Sequence, residues 1–283
     1  MQFLVERKTF YPPYPPNYTL AEPWLSRILT PDDRYIPFFF LSVSKEDSFT
    51  IIYSHENAED LGSIYPRMKD LSQKLNVNIL AWDYSGYGPY NSRDADLRRK
   101  NRRSFCLFRR TDDKYRPSEE KCYSDILLLY TWLRRRGVPP NKIILMGKSL
   151  GTGPTIYLAS QLSPSDYAGV ILISPFTSIV RIVSNLLALI PSLDIFPNID
   201  RISRVKNPVL IFHGWNDEIV PYFHSCQLSN RIPYLYRFYL FPSRGHNDLT
   251  FQDLLPFLQQ FLNFISEKKN LTITKKCNSK TCH

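Results

Sequence analysis

"GKSLGTG", residues 147–153, follows an apolar run, Ile143-Ile144-Leu145-Met146, and two chemistries are written in nearly these letters. Gly-Lys-Ser after a strand can close a phosphate-binding loop, and Gly147-Lys148-Ser149-Leu150-Gly151 also reads as G-x-S-x-G, a turn that presents a nucleophilic serine. The phosphate loop needs a glycine five residues before Gly147, so that successive backbone N–H groups wrap the anion. That position is Lys142, inside a strand-like run, and no cradle can form there. The serine turn asks instead for a strand, a sharp bend and a helix. Residues 142–146 predict the strand and residues 155–162 the helix, and the flanking glycines let strand and helix pack close around a strained serine.

Around this turn the chain alternates between two periods. Strands are predicted at 37–44, 49–54, 77–82, 168–173, 208–213 and 236–241, each a short, largely continuous apolar run. Helices are predicted at 61–75, where Leu61, Ile64, Met68, Leu71 and Leu75 share one face, and at 119–136, where Ile126, Leu127, Tyr130 and Leu133 do. Strands alternating with helices imply an α/β fold, a mostly parallel doubly wound sheet covered on both faces, with its site at the carboxyl ends of the strands.

Residues 1–30, with the proline-rich YPPYPP at 11–16, are expected as an extended strap. A single domain spans 31–266, and a basic tail follows at 267–283. The formal charge of +10 is unevenly placed. Between Arg93 and Arg116 stand ten Lys/Arg against four acids, so a basic insertion is expected at about 89–118. Five cysteines without framework spacing argue for a reducing compartment and against a disulfide scaffold. The start lacks a signal-peptide core, and no apolar run approaches the ~20 residues that span a bilayer. The expectation is a cytoplasmic monomer.

A serine hydroxyl is a weak nucleophile until a histidine takes its proton and a carboxylate orients that imidazole. After Ser149, the strand at 208–213 runs into Gly214-Trp215-Asn216-Asp217, and the last strand runs into Ser243-Arg244-Gly245-His246. Ser, then Asp, then His at three strand ends is the chain order of an α/β hydrolase, with Asp217 orienting and His246 as base. Asp217 taken alone reads sooner as a helix N-cap before residues 219–222, Glu218 and Asp248 are rival carboxylates, and His213 reads as a packed core residue. For the oxyanion, Leu150 N–H is one expected donor, and Asn57 N–H in the loop after an early strand is the other, with Glu56 N–H second. No metal or organic cofactor is required.

"HENAEDLG", "DYSGYG", "GKSLGTGPT", "SPFTS", "FPNIDRISRVKNPVLIFHG" and "GHND" resemble stretches of the α/β-hydrolase-domain-containing protein 17 family, from about Phe10 to Ser266. The resemblance implies a serine hydrolase that removes palmitate from S-acylated cysteines of membrane-associated proteins, with Ser149, Asp217 and His246 as nucleophile, acid and base. The alternatives are a lipid or small-ester hydrolase or peptidase on the same scaffold, and a hydrolase fold used as a binding module.

The sequence departs from that family in three places. Glu56 stands where relatives carry glycine, and its carboxylate is expected to weaken the oxyanion hole. The basic segment replaces a short Gly/Ser-rich continuation. The acylated N-terminal cysteine cluster of the relatives has no counterpart. The segment from Arg93 to Arg116 reads first as a solvated loop, next as an anchor to anionic membranes, and only then as a nucleic-acid contact. The apolar stretch at 179–196 reads either as a buried helix or as a wall of the acyl pocket, with Leu187 and Ile190 as its probes.

Overall fold

In the computed structural model, residues 2–43, 47–90, 114–183 and 194–278 are described. Among them one eight-stranded sheet has the order β1-β2-β4-β3-β5-β6-β7-β8. The strands are β1 Ser26–Leu29, β2 Tyr35–Leu41, β3 Thr50–Ser54, β4 Asn78–Trp82, β5 Ile143–Lys148, β6 Gly169–Ile173, β7 Val209–Gly214 and β8 Leu235–Phe241. β1 and β2 pair antiparallel, β2 pairs antiparallel with β4, and every pair from β4 to β8 is parallel. The helices are α1 Gln2–Thr9, α2 Leu61–Leu75, α3 Glu119–Arg135, α4 Thr152–Gln161, α5 Ile179–Val183, α6 Asn198–Arg201, α7 Phe223–Ser229 and α8 Phe251–Asn278.

The central strands are buried on both sides, so their residues divide alternately between two cores. Ile52, Leu80, Leu145, Leu172 and Ile211 pack with Ile126, Leu129 and Leu133 of α3 and Ile156 of α4. Their strand neighbours Ile51, Ile79, Ile144, Ile171 and Leu210 face the other way, against Leu61, Ile64 and Met68 of α2 and Leu254, Leu258 and Phe261 of α8. Burying each such side chain contributes about 1.5–3 kcal/mol, and a one-residue slip of any strand would exchange the two cores.

Local signals fix the ends. Asp60 caps α2 by accepting from Ser63 N–H, while the Ser63 hydroxyl returns a bond to the main chain of Asp60, and Asn76 closes the helix in the left-handed region at φ 54°. The β1–β2 turn is held to α3 by Arg34, whose guanidinium reaches both oxygens of Asp125 at 3.0 and 2.8 Å with almost no exposure on either side. Burial acts to lower the Arg34 pKa, but its carboxylate partners Asp125 and Asp32 outweigh it and raise the net value.

The N-terminal 30 residues differ from an extended strap. Residues 2–9 are helical and residues 26–29 form the edge strand of the sheet. Neither short element repeats long enough to show a period. Between them the chain is pinned to the domain by Asn17 N–H to Asp60 Oδ2 (2.7 Å) and by Tyr18 Oη to Asp83 Oδ2 (2.6 Å). At the other end α8 continues to Asn278, so the helix enters the stretch expected as a tail. Most of the basic insertion lies outside the described residues. Among the described residues, no helix is long and apolar enough to cross a membrane.

Candidate active site

Four strand ends meet at the site. β3 and β5 are register partners at Ser54 and Gly147, and β7 and β8 at Gly214 and Phe241, so the loops that leave these strands converge. Ser149 stands at the exit of β5 with φ 48°, a left-handed backbone that a serine adopts only under constraint. The constraint is the absence of side chains at its flanks. A Cβ on Gly147 would come within 2.4 Å of Gly151 O, and one on Gly151 within 2.1 Å of Ser54 O. Only glycine allows the turn to fold this tightly against β3.

The structure brings together the three residues that the sequence places at separate strand ends. Ser149 Oγ lies 2.9 Å from His246 Nε2, and His246 Nδ1 lies 2.7 Å from Asp217 Oδ2. Ser149, Asp217 and His246 are 8%, 5% and 7% exposed, so the chain of bonds is largely shielded from solvent. Asp217 also accepts from Ile219 N–H (3.0 Å) and Val220 N–H (2.7 Å) through Oδ1. It therefore fills the turn-capping role and the imidazole-orienting role at once. Burial works to raise its pKa, but hydrogen bonds from His213, His246 and Val220 N–H outweigh it and hold the carboxyl well below the usual range. A hydroxyl bonded to an imidazole that is itself oriented by a fixed carboxylate is chemically able to attack a carbonyl carbon.

The rivals are elsewhere. Asp248 Oδ2 accepts from Gly245 N–H at 3.1 Å and so supports the loop bearing His246, while Glu218 is exposed. The segment after Asp217 is a turn, and α7 begins only at Phe223. His213 is a buried residue with more to do than packing. Its Nε2 lies 2.7 Å from Val220 O and 3.2 Å from Asp217 Oδ2, and its Nδ1 is 2.6 Å from Ser225 Oγ. Since Val220 O can only accept, His213 donates through Nε2, giving Asp217 a second imidazole neighbour. The i, i+4 spacing of His213 and Asp217 across a strand exit was the available signal.

Leu150 lies in the middle of the turn Ser149–Gly151 that leads into α4 and is buried. The Asn57 side chain is engaged by the N-terminal segment: Nδ2 donates to Thr9 O (2.5 Å), and Oδ1 accepts from Tyr11 N–H (2.9 Å) and Tyr87 Oη (2.6 Å). The preceding His55, fully buried, donates from Nδ1 to Glu56 O at 2.7 Å, and its Nε2 lies 3.1 Å from Asp83 Oδ1, at ion-pairing distance though off hydrogen-bond alignment. Burial lowers the His55 pKa, and Asp83 with Glu56 O more than reverses this, so the net shift is upward. The loop that carries Glu56 and Asn57 is thus fixed from beneath by the buried His55 imidazole.

Glu56 does not stand as an isolated charge against the oxyanion. Its Oε1 accepts from Lys148 Nζ at 2.7 Å, and its Oε2 lies 4.0 Å from His246 Nε2. The neutralising lysine is the residue just before Ser149, and the pairing is not legible in the sequence. Burial and the Glu59 charge push the Glu56 carboxyl upward, opposed by Lys148 and His246. Leu187 and Ile190 lie outside the described residues; before them α5 spans Ile179–Val183, and after them Ile195 and Phe196 are fully buried. Phe196 sits where a Cβ on Gly153 would meet its ring at 2.4 Å, which explains the "FPNID" run as packing against α4. Among the described residues no cluster of three or more His, Cys, Asp or Glu is placed to hold a metal ion.

No family profile matches the chain. Among characterised proteins, alpha/beta hydrolase domain-containing protein 17C from Mus musculus is 34% identical over 236 residues, 83% of this chain and 66% of that protein. Protein 17B of the same group, from Homo sapiens, is 32% identical over 234 residues, 82% of this chain and 72% of that protein. The chain spans just under two thirds of the 17C relative's length. Among solved structures, an acetyl xylan esterase from Paenibacillus sp. R4 superposes with a TM-score of 0.63 at 16% identity, covering 93% of this chain and 91% of that one, a likeness of fold. With the sheet, the serine turn and the relatives in agreement, the chain is an α/β hydrolase and belongs to the alpha/beta hydrolase domain-containing protein 17 family.

Proposed function

We propose that this hydrolase is a serine esterase acting on acyl thioesters and esters, and that it removes long-chain acyl groups from S-acylated cysteines of proteins. The observation that supports the reading is the bonded chain Ser149–His246–Asp217 on a strained glycine-flanked turn. Ser149 Oγ attacks the acyl carbonyl as His246 Nε2 takes its proton. The same proton passes to the departing thiolate or alkoxide, leaving the acyl group on Oγ. Water then attacks the ester, His246 again accepts a proton and returns it to Oγ, and the free acid leaves. Leu150 N–H and Asn57 N–H are the proposed donors to the oxyanion, and Leu187 and Ile190 the proposed lining of an acyl groove. No cofactor enters these steps. The choice of S-acylated protein as substrate rests on the family resemblance.

The chain is further proposed to act as a monomer on the cytoplasmic face of membranes, held against anionic lipid by the basic segment from Arg93 to Arg116. That segment carries a charge surplus of six, and each cation near such a surface adds roughly 1 kcal/mol.

A fluorophosphonate probe should label Ser149, and Ser149→Ala should abolish both labelling and ester hydrolysis, a loss on the order of a million-fold in turnover. A purified Ser149→Ala variant that keeps more than about a hundredth of the activity refutes the nucleophile. A chain that never labels is a binding module on a hydrolase fold. Rates on a series of p-nitrophenyl acyl esters and an S-palmitoyl peptide then separate a protein thioesterase from a small-ester hydrolase.

A further inference from the structure

Glu56 occupies a position that asks for an explanation. A carboxylate 8% exposed, beside the nucleophile, costs desolvation energy that only pairing offsets. Both ends of the residue are fixed. Its main-chain oxygen accepts from the buried His55 Nδ1 at 2.7 Å, and its Oε1 accepts from Lys148 Nζ at 2.7 Å. What remains is Oε2, and it lies 4.0 Å from His246 Nε2, the atom that also faces Ser149 Oγ at 2.9 Å. The imidazole nitrogen that moves the proton therefore has as neighbours the nucleophile and a carboxylate oxygen that accepts no hydrogen bond among the described residues.

The separation is informative. Two acceptors in direct contact would repel, and two acceptors much further apart could not share one donor. A single water about 2.8 Å from each acceptor, the usual O–H···O length, closes a 4.0 Å gap with an angle of roughly 90° at its oxygen. Such a water donates one proton to Nε2 and the other to Oε2, and both its lone pairs remain for a carbonyl carbon.

Building on the proposed acyl-enzyme chemistry, we infer that Glu56 is a catalytic residue of the second half-reaction: its Oε2 holds the water that releases the acyl group from Ser149. In the first half-reaction Nε2 takes its proton from Oγ, and Glu56 has no part. Once Oγ is esterified it has no proton to give, and the base must draw on water instead. Water oxygen then bonds to the acyl carbon while one of its protons passes to Nε2. Its other O–H stays hydrogen-bonded to Oε2, which fixes the direction of attack. Collapse of the tetrahedral intermediate breaks the C–Oγ bond, Oγ takes the proton from Nε2, and the carboxylic acid departs. Glu56 begins and ends as a carboxylate. Lys148 balances its charge, so the oxyanion forming nearby does not face an unpaired anion.

The test separates the two half-reactions. Rapid-mixing kinetics with p-nitrophenyl butyrate read acylation from the burst of nitrophenol and deacylation from the steady rate, and intact-protein mass reads the butyryl adduct on Ser149. Glu56→Gln should keep acylation within about threefold of wild type, slow deacylation at least about tenfold, and accumulate the adduct. Glu56→Ala, with formate supplied as a detached carboxylate, should regain deacylation without a change in acylation, and this holds even if the Gln variant folds poorly. Equal losses in both steps would reduce Glu56 to a brace for the oxyanion loop and overturn the inference, as would wild-type deacylation in Glu56→Gln or a rise in both rates. If wild-type protein hydrolyses no acyl ester and Ser149 takes no fluorophosphonate label, the proposed function itself fails, and the inference with it. A wild-type adduct with a normal Glu56→Gln variant sinks the inference alone.

Discussion

Replacing Asp217 by Asn keeps the shape of the side chain and removes its charge, and the hydrogen bonds around it dictate how the amide must sit. Oδ1 is tied to two backbone donors, Ile219 N–H and Val220 N–H, so the amide oxygen must take that side. The amide NH2 then points at His246 Nδ1 and His213 Nε2, which lie 2.7 and 3.2 Å from Oδ2. His213 cannot turn its Nε2 proton away, because Val220 O holds it. His246 can accommodate the amide only by moving its own proton to Nε2, where it can no longer accept from Ser149.

Turnover should accordingly fall about 10³- to 10⁴-fold, the cost seen when a triad carboxylate becomes an amide. The donor-to-donor conflict should add about 1–3 kcal/mol of destabilisation. The acid limb of stability should change as well. The folded Asp217 carboxyl titrates below its unfolded value, so the unfolded chain binds more protons as pH drops through the carboxylate range. Its contribution is complete above the unfolded pKa of about 3.9 and is lost as pH falls toward the folded value. Asp217→Asn should flatten that loss. Steady-state rates on p-nitrophenyl butyrate, and urea unfolding between neutral and acid pH, measure both effects. The reasoning fails if Asp217→Asn stays within about tenfold of wild type while Asp248→Asn, which should disturb only the Gly245 contact, abolishes turnover.

Two further outcomes rest on the same geometry. Lys148→Met should cost about 3 kcal/mol by leaving Glu56 buried without its partner, and Lys148→Met combined with Glu56→Gln should recover part of it; additive urea-unfolding losses would mean that the pair is not coupled. Gly151→Ala sets a Cβ 2.1 Å from Ser54 O, so β3 and the serine turn must separate, with loss of fluorophosphonate labelling and about 1–3 kcal/mol of stability. A variant labelled at the wild-type rate would show that the turn tolerates a wider angle.

What the sequence discloses depends on how far apart the cause and its effect lie along the chain. The face of α2 and the apolar run of β5 are written locally, because a helix repeats each 3.6 residues and a doubly buried strand is apolar at every position. Ser149, Asp217 and His246 are each placed by a strand that can be read on its own, and the parallel sheet then gathers the strand ends. α1 and β1 are not legible, since eight and four residues are too few to show a period, and their stability comes from contacts with distant parts. His213 reads as packing because its second partner, Asp217, becomes visible only when the strand exit turns back on itself.

The Lys148–Glu56 pair shows where the boundary falls. Its members are 92 residues apart and look unrelated until β3 and β5 are set side by side. Their register makes Ser54 the partner of Gly147, so Glu56 and Lys148 are each only a residue or two beyond that point, leaving adjacent strands in the same direction. Parallel pairing therefore converts a strand order into a list of side chains that share the site. An acid and a base at those two exits, one before Asn57 and one before Ser149, are charges that the fold itself brings together.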